Sequence, residues 1–274
     1  MARVCRPGSA RSCFEVGAPL QLTVDAPGPA ALRVGLRVDD GLADDGLADL
    51  VEPDMLRRLR AAVGAVPRGE HDSLGTWLFL GEAERSVYLD LRDPTPAEAL
   101  RRLAPLLDED ARAQLRRLQA HLVEARPWAL RLDAAEDRVR CELLWLLERT
   151  ASAKALAERV APGRWPSVMD TLAPLVPRPE RAGRFVLTTP LDPSAAPRLE
   201  VATTGWTLVP ENDAKHRAVG RAVAALKGPR SHAQVLWSLC RSTAGPRWRV
   251  GRAAEARVHD AGPSLRLYLN PDVS

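Results

Sequence analysis

The sequence has few of the groups that bind metals or form disulfides. Its five histidines show no metal-ligand spacing. None of the cysteines belongs to a Cys-x-x-Cys pair or to a Cys/His cluster; they are Cys5, Cys13, Cys141 and Cys240. We therefore expect neither a zinc site nor a disulfide framework, as is typical of a protein that works in a reducing cytoplasm.

The sequence also lacks long apolar runs and a strong excess of one charge. No run approaches the roughly 20 residues of a membrane-spanning helix. Arg3 and Arg6 are not followed by the apolar core of a signal peptide. The net charge of +4 is weaker than expected of a dedicated nucleic-acid binder. We expect a cytoplasmic monomer whose partners are neither membranes nor nucleic acids.

What the sequence does contain is alternation. Residues 264–271 alternate leucine with a polar or charged group, which predicts a strand with one apolar and one polar face. The same pattern recurs along the chain and predicts five hairpins, separated by segments with helical periodicity and capping signals. The hairpins are Leu20–Asp25 with Leu32–Val38, Thr76–Leu80 with Arg85–Arg92, Trp128–Asp133 with Arg138–Trp145, Arg184–Thr189 with Arg198–Thr204, and Arg247–Arg257 with Ser264–Pro271. Leu143–Leu147 is equally compatible with a helix.

These hairpins predict an α+β fold. We expect a closed antiparallel barrel of about ten strands, with helices around its apolar outer face and a cationic lumen lined by its polar face. Residues 1–13 lack periodicity and are predicted to form a flexible arm, and residues 14–274 a single barrel domain. Among the helices, a pair over about 151–176 should break at Pro162-Gly163.

Five polar-faced hairpins separated by helices resemble the ABBA-barrel aromatic prenyltransferases, which include dimethylallyltryptophan synthases and cyanobactin peptide prenyltransferases. The resemblance covers Phe14–Pro271. It rests on four short segments: Ser12-Cys13-Phe14-Glu15, Arg33, Arg138-Val139-Arg140-Cys141-Glu142, and Arg266-Leu267-Tyr268-Leu269-Asn270-Pro271. The chain departs from the family at Ser86, where a lysine is usual, so Arg92 or Arg37 would substitute for it. It also lacks the long N-terminal helical region of fungal members, which favours a large acceptor such as a peptide.

The resemblance implies an enzyme that transfers a dimethylallyl or geranyl group from a prenyl diphosphate to an electron-rich acceptor, either an aromatic side chain such as Trp in a peptide or a free indole. It implies Glu15 as the general base and Tyr88 and Tyr268 as shields of the allyl cation. The residues implied for diphosphate binding are Arg33, Arg37, Arg92, Arg138, Arg140 and Arg266. Trp77, Glu142 and Trp206 would line the pocket for the acceptor and the prenyl group. No metal site is implied, and dependence on magnesium stays open.

Other interpretations compete with this one. Any single alternating arginine is commonly a solvated residue or the partner of a structural carboxylate. A triphosphate-tunnel phosphohydrolase also has a charged antiparallel barrel, although the Glu-x-Glu-x-Lys strand of that class does not occur here. A non-catalytic barrel that holds an anionic lipid or RNA is the third interpretation.

Overall fold

The computed structural model describes the strands, three helices and several shorter segments. The described residues are 20–26, 33–37, 53, 57, 76–80, 85–90, 107, 109–119, 125–134, 139–176, 179, 184–191, 199–204, 217, 220, 221, 224, 248–260 and 262–271. Within these ranges the strands are β1 Leu20–Ala26, β2 Arg33–Arg37, β3 Thr76–Leu80, β4 Arg85–Asp90, β5 Arg126–Ala134, β6 Val139–Leu147, β7 Phe185–Pro190, β8 Leu199–Thr204, β9 Trp248–His259 and β10 Gly262–Pro271. The helices are α1 Glu109–Gln119, α2 Thr150–Val160 and α3 Trp165–Leu172.

The strands form one antiparallel sheet that curls on itself. Each strand pairs with the next along the chain, and β1 also pairs with β10, so the order of pairings is that of a closed barrel. The predicted hairpins and the curled antiparallel sheet are confirmed. The helical alternative for Leu143–Leu147 is wrong, because this segment pairs with β5 on one side and β7 on the other.

Proline interrupts the ladder between β5 and β6. The register shifts between Pro127 and Ala129. Because proline has no backbone N–H to donate, it is tolerated in a sheet mainly at a bulge or an edge. Trp128 and Ala129 are consecutive, yet both belong to one buried cluster. The irregularity thus directs two neighbouring residues of β5 to the same side of the sheet.

Two helices cover part of the outer face. Trp165 at the start of α3 packs on Phe185 of β7, with ring centroids 5.9 Å apart. Arg164 donates to the carbonyl of Val258 at 3.0 Å and forms an ion pair with Asp260, which fixes this end of α3 to β9. The predicted break at Pro162-Gly163 is confirmed: Gly163 has φ of 74°, a conformation in which glycine is favoured over residues with a side chain.

Loss of the Trp165 ring should destabilise the fold, because the side chain is buried against the outer face. We expect Trp165→Ala to lower the free energy of unfolding by about 3–5 kcal/mol. Lys154→Ala on the exposed face of α2 should change it by less than about 0.5 kcal/mol. Urea unfolding followed by circular dichroism measures both. Equal stability of the two variants would show that α3 does not pack on the sheet in this way.

Candidate active site

The polar faces of the strands point into the barrel. Arg131 on β5 contacts Glu200 on β8, although β6 and β7 lie between these strands in the sheet. A contact that skips two strands requires both side chains to lie inside the curved sheet. The outer face carries the opposite set of residues, such as Phe185, which meets the helices.

One part of this interior is apolar and largely aromatic. We call it the aromatic cluster, and its members are Trp77, Phe79, Tyr88, Trp128, Ala129, Leu144, Val186 and Ala202. Trp77 is fully buried and opposite Tyr88 in the β3–β4 register. Phe79 lies edge-on to Tyr88, with centroids 5.1 Å apart, and near-parallel to Trp77 at 6.2 Å. Rings arranged in this way can enclose an apolar or cationic group.

The other part of the interior is charged. We call it the charged cluster, and its members are Arg131, Asp133, Glu142, Glu200, Glu255, Arg257 and Arg266. They come from β5, β6, β8, β9 and β10. All of them contact an opposite charge within the cluster, as buried ions must if burial is not to cost several kcal/mol each.

Arg131 is the centre of the charged cluster, and its side chain is only 2% exposed. Its Nε lies 3.1 Å from Asp133 Oδ2, its Nη1 lies 2.8 Å from Glu200 Oε2, and its Nη2 pairs with Glu142. Its Nη1 also lies 3.5 Å from the hydroxyl oxygen of Tyr88, and its guanidinium carbon 6.0 Å from the centre of that ring. Arg131 therefore joins the two clusters.

The pKa of Arg131 is lowered by its burial, but the charges around it raise the pKa by more. Asp133 contributes most to the increase, followed by Glu200, Tyr88 and Glu255, and the pKa ends well above its ordinary value. A raised pKa in a cationic group means that its stabilisation is fully present below the pKa of the unfolded chain. Because the pKa of an arginine in the unfolded chain already lies far above neutral, Arg131 stays charged at every pH at which such a protein would be handled.

The network continues from Glu200 on β8 to Arg266 on β10. Arg257 lies with Nη2 3.5 Å from Glu200 Oε2 and with Nε 2.9 Å from Glu255 Oε1. Glu255 Oε2 is in turn 4.0 Å from Nη1 of Arg266, whose side chain is 1% exposed. Glu200 and Glu255 thus each contact two arginines.

The predicted cationic lumen is wrong for the described part of the barrel. Four carboxylates and three guanidiniums face one another there, as the members of the charged cluster show. Glu142, Glu200 and Glu255 share the inward phase of their strands with the arginines, so alternation places both signs inside. An unbalanced set of buried guanidiniums would carry a large desolvation cost.

Four of the predicted site residues come together inside. Trp77, Tyr88, Glu142 and Arg266 are all buried, and Tyr88 and Glu142 both contact Arg131. Arg140 is exposed near the start of β6, opposite Asp133 in the register.

The remaining predicted site residues are described in part or not at all. Only the backbone is described for Arg33 and Arg37 on β2 and for Tyr268 on β10. Glu15, Arg92, Arg138 and Trp206 lie outside the described residues, as does the predicted arm over 1–13. Their roles stay predictions.

Sequence reasoning missed the centre of the site. Arg131, Glu200 and Arg257 were recognisable only as polar-phase residues, but Arg131 lies directly between Tyr88 and Glu142 in the register of β4, β5 and β6. Aligning the hairpins side by side would have drawn attention to it. Phe79 shares the phase of Trp77, whereas Trp128 could not be found by phase because of the register shift at Pro127.

The described residues show neither a metal-binding cluster nor a helix that could span a membrane. No group of three or more His, Cys, Asp or Glu side chains among them could hold a metal ion. None of the helices described is long and apolar enough to cross a membrane.

Several solved structures are similar to this one over most of its length. The structure of a 6-dimethylallyl tryptophan synthase is similar over 97% of this chain and 84% of its own, with a TM-score of 0.71 and 15% identity. The chain has the fold of the ABBA-barrel aromatic prenyltransferases. The 5-dimethylallyltryptophan synthase from Streptomyces coelicolor is similar over 92% of this chain and 81% of its own, with a TM-score of 0.67 and 14% identity.

A third similar structure is a ternary complex of a prenyltransferase. The prenyltransferase PriB, in a ternary complex with L-tryptophan and dimethylallyl thiolodiphosphate, is similar over 97% of this chain and 83% of its own, with a TM-score of 0.70 and 14% identity. Identities this low establish the prenyltransferase fold and nothing further. No protein-family model matches the sequence. No curated protein matches it either.

Removing the charge of Arg131 should be costly, because Asp133, Glu142 and Glu200 would lose a shared cation. We expect Arg131→Met to lower the free energy of unfolding by about 3–5 kcal/mol at neutral pH. Arg126→Met, on the same strand but exposed, should change it by less than about 0.5 kcal/mol. Urea unfolding at matched pH compares the two. A cost for Arg131→Met no larger than the control would mean that the carboxylates do not depend on this guanidinium.

Proposed function

We propose that the protein is an aromatic prenyltransferase, which transfers a prenyl group from a prenyl diphosphate to an electron-rich acceptor. The observation that carries the proposal is the juxtaposition of buried guanidiniums with a cluster of aromatic side chains, joined by the Arg131–Tyr88 contact. A prenyl diphosphate has the matching character, with an anionic head and an apolar tail. The prenyltransferase fold agrees with this assignment.

In the proposed reaction, the bond between the first carbon of the prenyl group and the diphosphate oxygen breaks, and its electron pair leaves with the diphosphate. Arginine stabilises that leaving group, because guanidinium groups meet phosphate oxygens with two parallel hydrogen bonds. We assign this role to Arg266 together with Arg33, Arg37, Arg92, Arg138 and Arg140. Arg140, which is exposed near one end of β6, would meet the diphosphate on entry.

The allyl cation is then attacked by the π electrons of the acceptor ring, and the ring loses a proton. Tyr88 and Tyr268 would shield the cation, and Trp77 would extend the aromatic wall around it. Glu142 and Trp206 would border the acceptor, and Glu15 would take the proton as general base. The burial of Trp77 and Tyr88 supports these assignments, since water would otherwise capture the cation.

The reaction requires an enclosed chamber. We propose that residues 14–274 form one complete barrel of ten strands, closed by the β1–β10 pairing and surrounded by a full ring of helices. The acceptor would be an aromatic side chain such as Trp in a peptide, or a free indole, and the prenyl group dimethylallyl or geranyl. We propose a cytoplasmic monomer with no bound metal, and the assay below tests the effect of magnesium directly.

A triphosphate-tunnel phosphohydrolase is the second candidate, and the four carboxylates of the charged cluster favour it. Such an enzyme needs carboxylates that are available to a metal ion. Each carboxylate of the charged cluster instead contacts an arginine, and the described residues contain no metal-binding group. Phosphate release from tripolyphosphate with magnesium would favour this candidate over prenyl transfer.

The proposal is tested by incubating the protein with dimethylallyl or geranyl diphosphate and a panel of acceptors, with magnesium and with a chelator. The panel includes L-tryptophan, indole, tyrosine and tryptophan-containing linear and cyclic peptides. We expect diphosphate release together with an acceptor mass increased by one prenyl unit. Release of diphosphate without any alkylated acceptor, or no reaction with any pair, would contradict the proposal.

Arg266 should contribute to binding of the donor, because its buried guanidinium lies inside the lumen. We expect Arg266→Ala to weaken the binding of a prenyl thiolodiphosphate by roughly 1.5–3 kcal/mol, the value of a charge-assisted hydrogen bond. Calorimetry on folded protein measures this, with Arg126→Ala as the exposed control. Undiminished affinity in Arg266→Ala would remove this residue from the donor site.

Glu15 should act in proton transfer and not in donor binding. Glu15→Gln keeps the shape of the side chain and removes its charge, so turnover should fall by roughly 10²–10⁴-fold while donor affinity stays nearly constant. Steady-state kinetics and calorimetry separate the two effects. Full turnover in Glu15→Gln would place the base elsewhere, with Asp25 on β1 as the next residue to test.

A further inference from the structure

Glu200 lies where two lumen arginines meet, Arg131, which is buried, and Arg257, which is partly exposed. Its Oε2 is 2.8 Å from Nη1 of Arg131 and 3.5 Å from Nη2 of Arg257, and its side chain is 2% exposed. Arg131 and Arg257 come from β5 and β9, which are not neighbours in the sheet. A carboxylate between two guanidiniums occupies the position that a phosphate group takes in an anion-binding site.

Other nitrogens of both arginines form ion pairs with different carboxylates. Nε of Arg131 lies 3.1 Å from Asp133 and its Nη2 pairs with Glu142, while Nε of Arg257 lies 2.9 Å from Glu255. These contacts fix the direction of each guanidinium, so that one nitrogen of each faces Glu200. The pair would stay aligned if another anion replaced the Glu200 carboxylate, because the aligning contacts do not involve Glu200.

This position borders the aromatic cluster. Ala202, on the same face of β8 as Glu200, belongs to the cluster, and the Tyr88 hydroxyl lies 3.5 Å from the same Nη1 of Arg131 that meets Glu200. An anion between Arg131 and Arg257 would therefore have an apolar wall beside it. A ligand with an anionic head joined to an apolar tail fits both parts.

We infer that Arg131 and Arg257 form an anion site for the diphosphate of the donor, and that Glu200 is a resident counter-ion which the diphosphate displaces. The inference rests on the proposed function for the identity of the donor. None of these three residues belongs to the set assigned above to diphosphate binding. The charged cluster thus contains a second group of arginines that acts on the same substrate.

A resident counter-ion explains how the site tolerates an empty state. The buried Arg131 and the partly exposed Arg257 would carry a desolvation cost without an anion between them, and Glu200 relieves that cost. The same carboxylate makes binding selective: an incoming anion must replace its contacts and tolerate its negative charge nearby. A diphosphate carries several charges and can do so, whereas a monovalent anion gains too little.

The test measures binding of inorganic pyrophosphate to the full chain by calorimetry. Glu200→Gln removes the competing charge with little change in volume, so pyrophosphate should bind about tenfold more tightly or better, since like charges held together cost several kcal/mol. The matched control is Glu109→Gln on α1. Glu109 also contacts two arginines, Arg112 and Arg116, but it is exposed on the outside. The control should bind pyrophosphate as the unaltered protein does.

A folded Glu200→Gln protein that binds pyrophosphate no more tightly than the unaltered protein would overturn the inference, because Glu200 would then be a structural partner only. Arg257→Gln provides a second test if Glu200→Gln does not fold. Arg257 is partly exposed, and its loss should weaken pyrophosphate binding by about tenfold or more. Unchanged affinity in Arg257→Gln would equally overturn the inference.

Pyrophosphate binding separates this inference from the proposed function. If Glu200→Gln binds pyrophosphate more tightly but the protein alkylates no acceptor, the anion site is supported and the proposed prenyltransferase function is contradicted. If the protein transfers prenyl groups but neither variant changes pyrophosphate binding, the proposed function is supported and the anion site is contradicted. Chloride titrated in place of pyrophosphate should show much weaker binding to all variants, and equal binding would contradict the claimed selectivity.

Discussion

The interior of this protein depends on one constraint: a buried guanidinium must be surrounded by opposite charge. Arg131 meets that requirement with carboxylates from its own strand, from the adjacent strand and from a strand across the lumen. These contacts link β5, β6 and β8 through the inside of the barrel, in addition to the hydrogen bonds of the sheet. Their geometry also determines where the remaining cations can lie, because Glu200 and Glu255 extend the pairing to Arg257 and Arg266.

A strand that separates two unlike environments needs strict alternation, and this chain keeps it almost throughout. Outward residues such as Phe185 meet the helices, while inward neighbours such as Val186 join the aromatic cluster. The register shifts at two places in the described strands, at Pro127 and between Leu267 and Leu269, and the first is informative. At Pro127 the register shift brings Trp128 inside next to Ala129, which adds a ring that the alternating pattern would have turned outward. An interruption of the sheet thus enlarges the aromatic wall.

The period of two predicted most of the fold from the sequence, because most of the strands are amphipathic and each hairpin is local. It also placed Trp77, Tyr88, Glu142 and Arg266 on the inward face. The alternating pattern does not predict which charges pair across the lumen, because the contact of Arg131 with Glu200 depends on how the sheet curls. For that reason the alternating pattern led to the prediction of a cationic interior, although it placed carboxylates and arginines on the same face of the sheet. The inward position of Trp128 could not be predicted for a different reason, since the direction of its side chain is determined by a bulge.

The described rings are distributed unevenly around the lumen. Trp77, Phe79, Tyr88 and Trp128 come from β3, β4 and β5, whereas β6, β7 and β8 contribute the aliphatic Leu144, Val186 and Ala202. Among the described side chains, the rings that such a cation would face lie on one side of this space. Under the proposed function, the aliphatic side is where a flat acceptor ring could approach without displacing the aromatic wall, and the acceptor itself would then complete the enclosure. In that arrangement, the acceptor ring would add an aromatic face opposite the four described rings of the aromatic cluster.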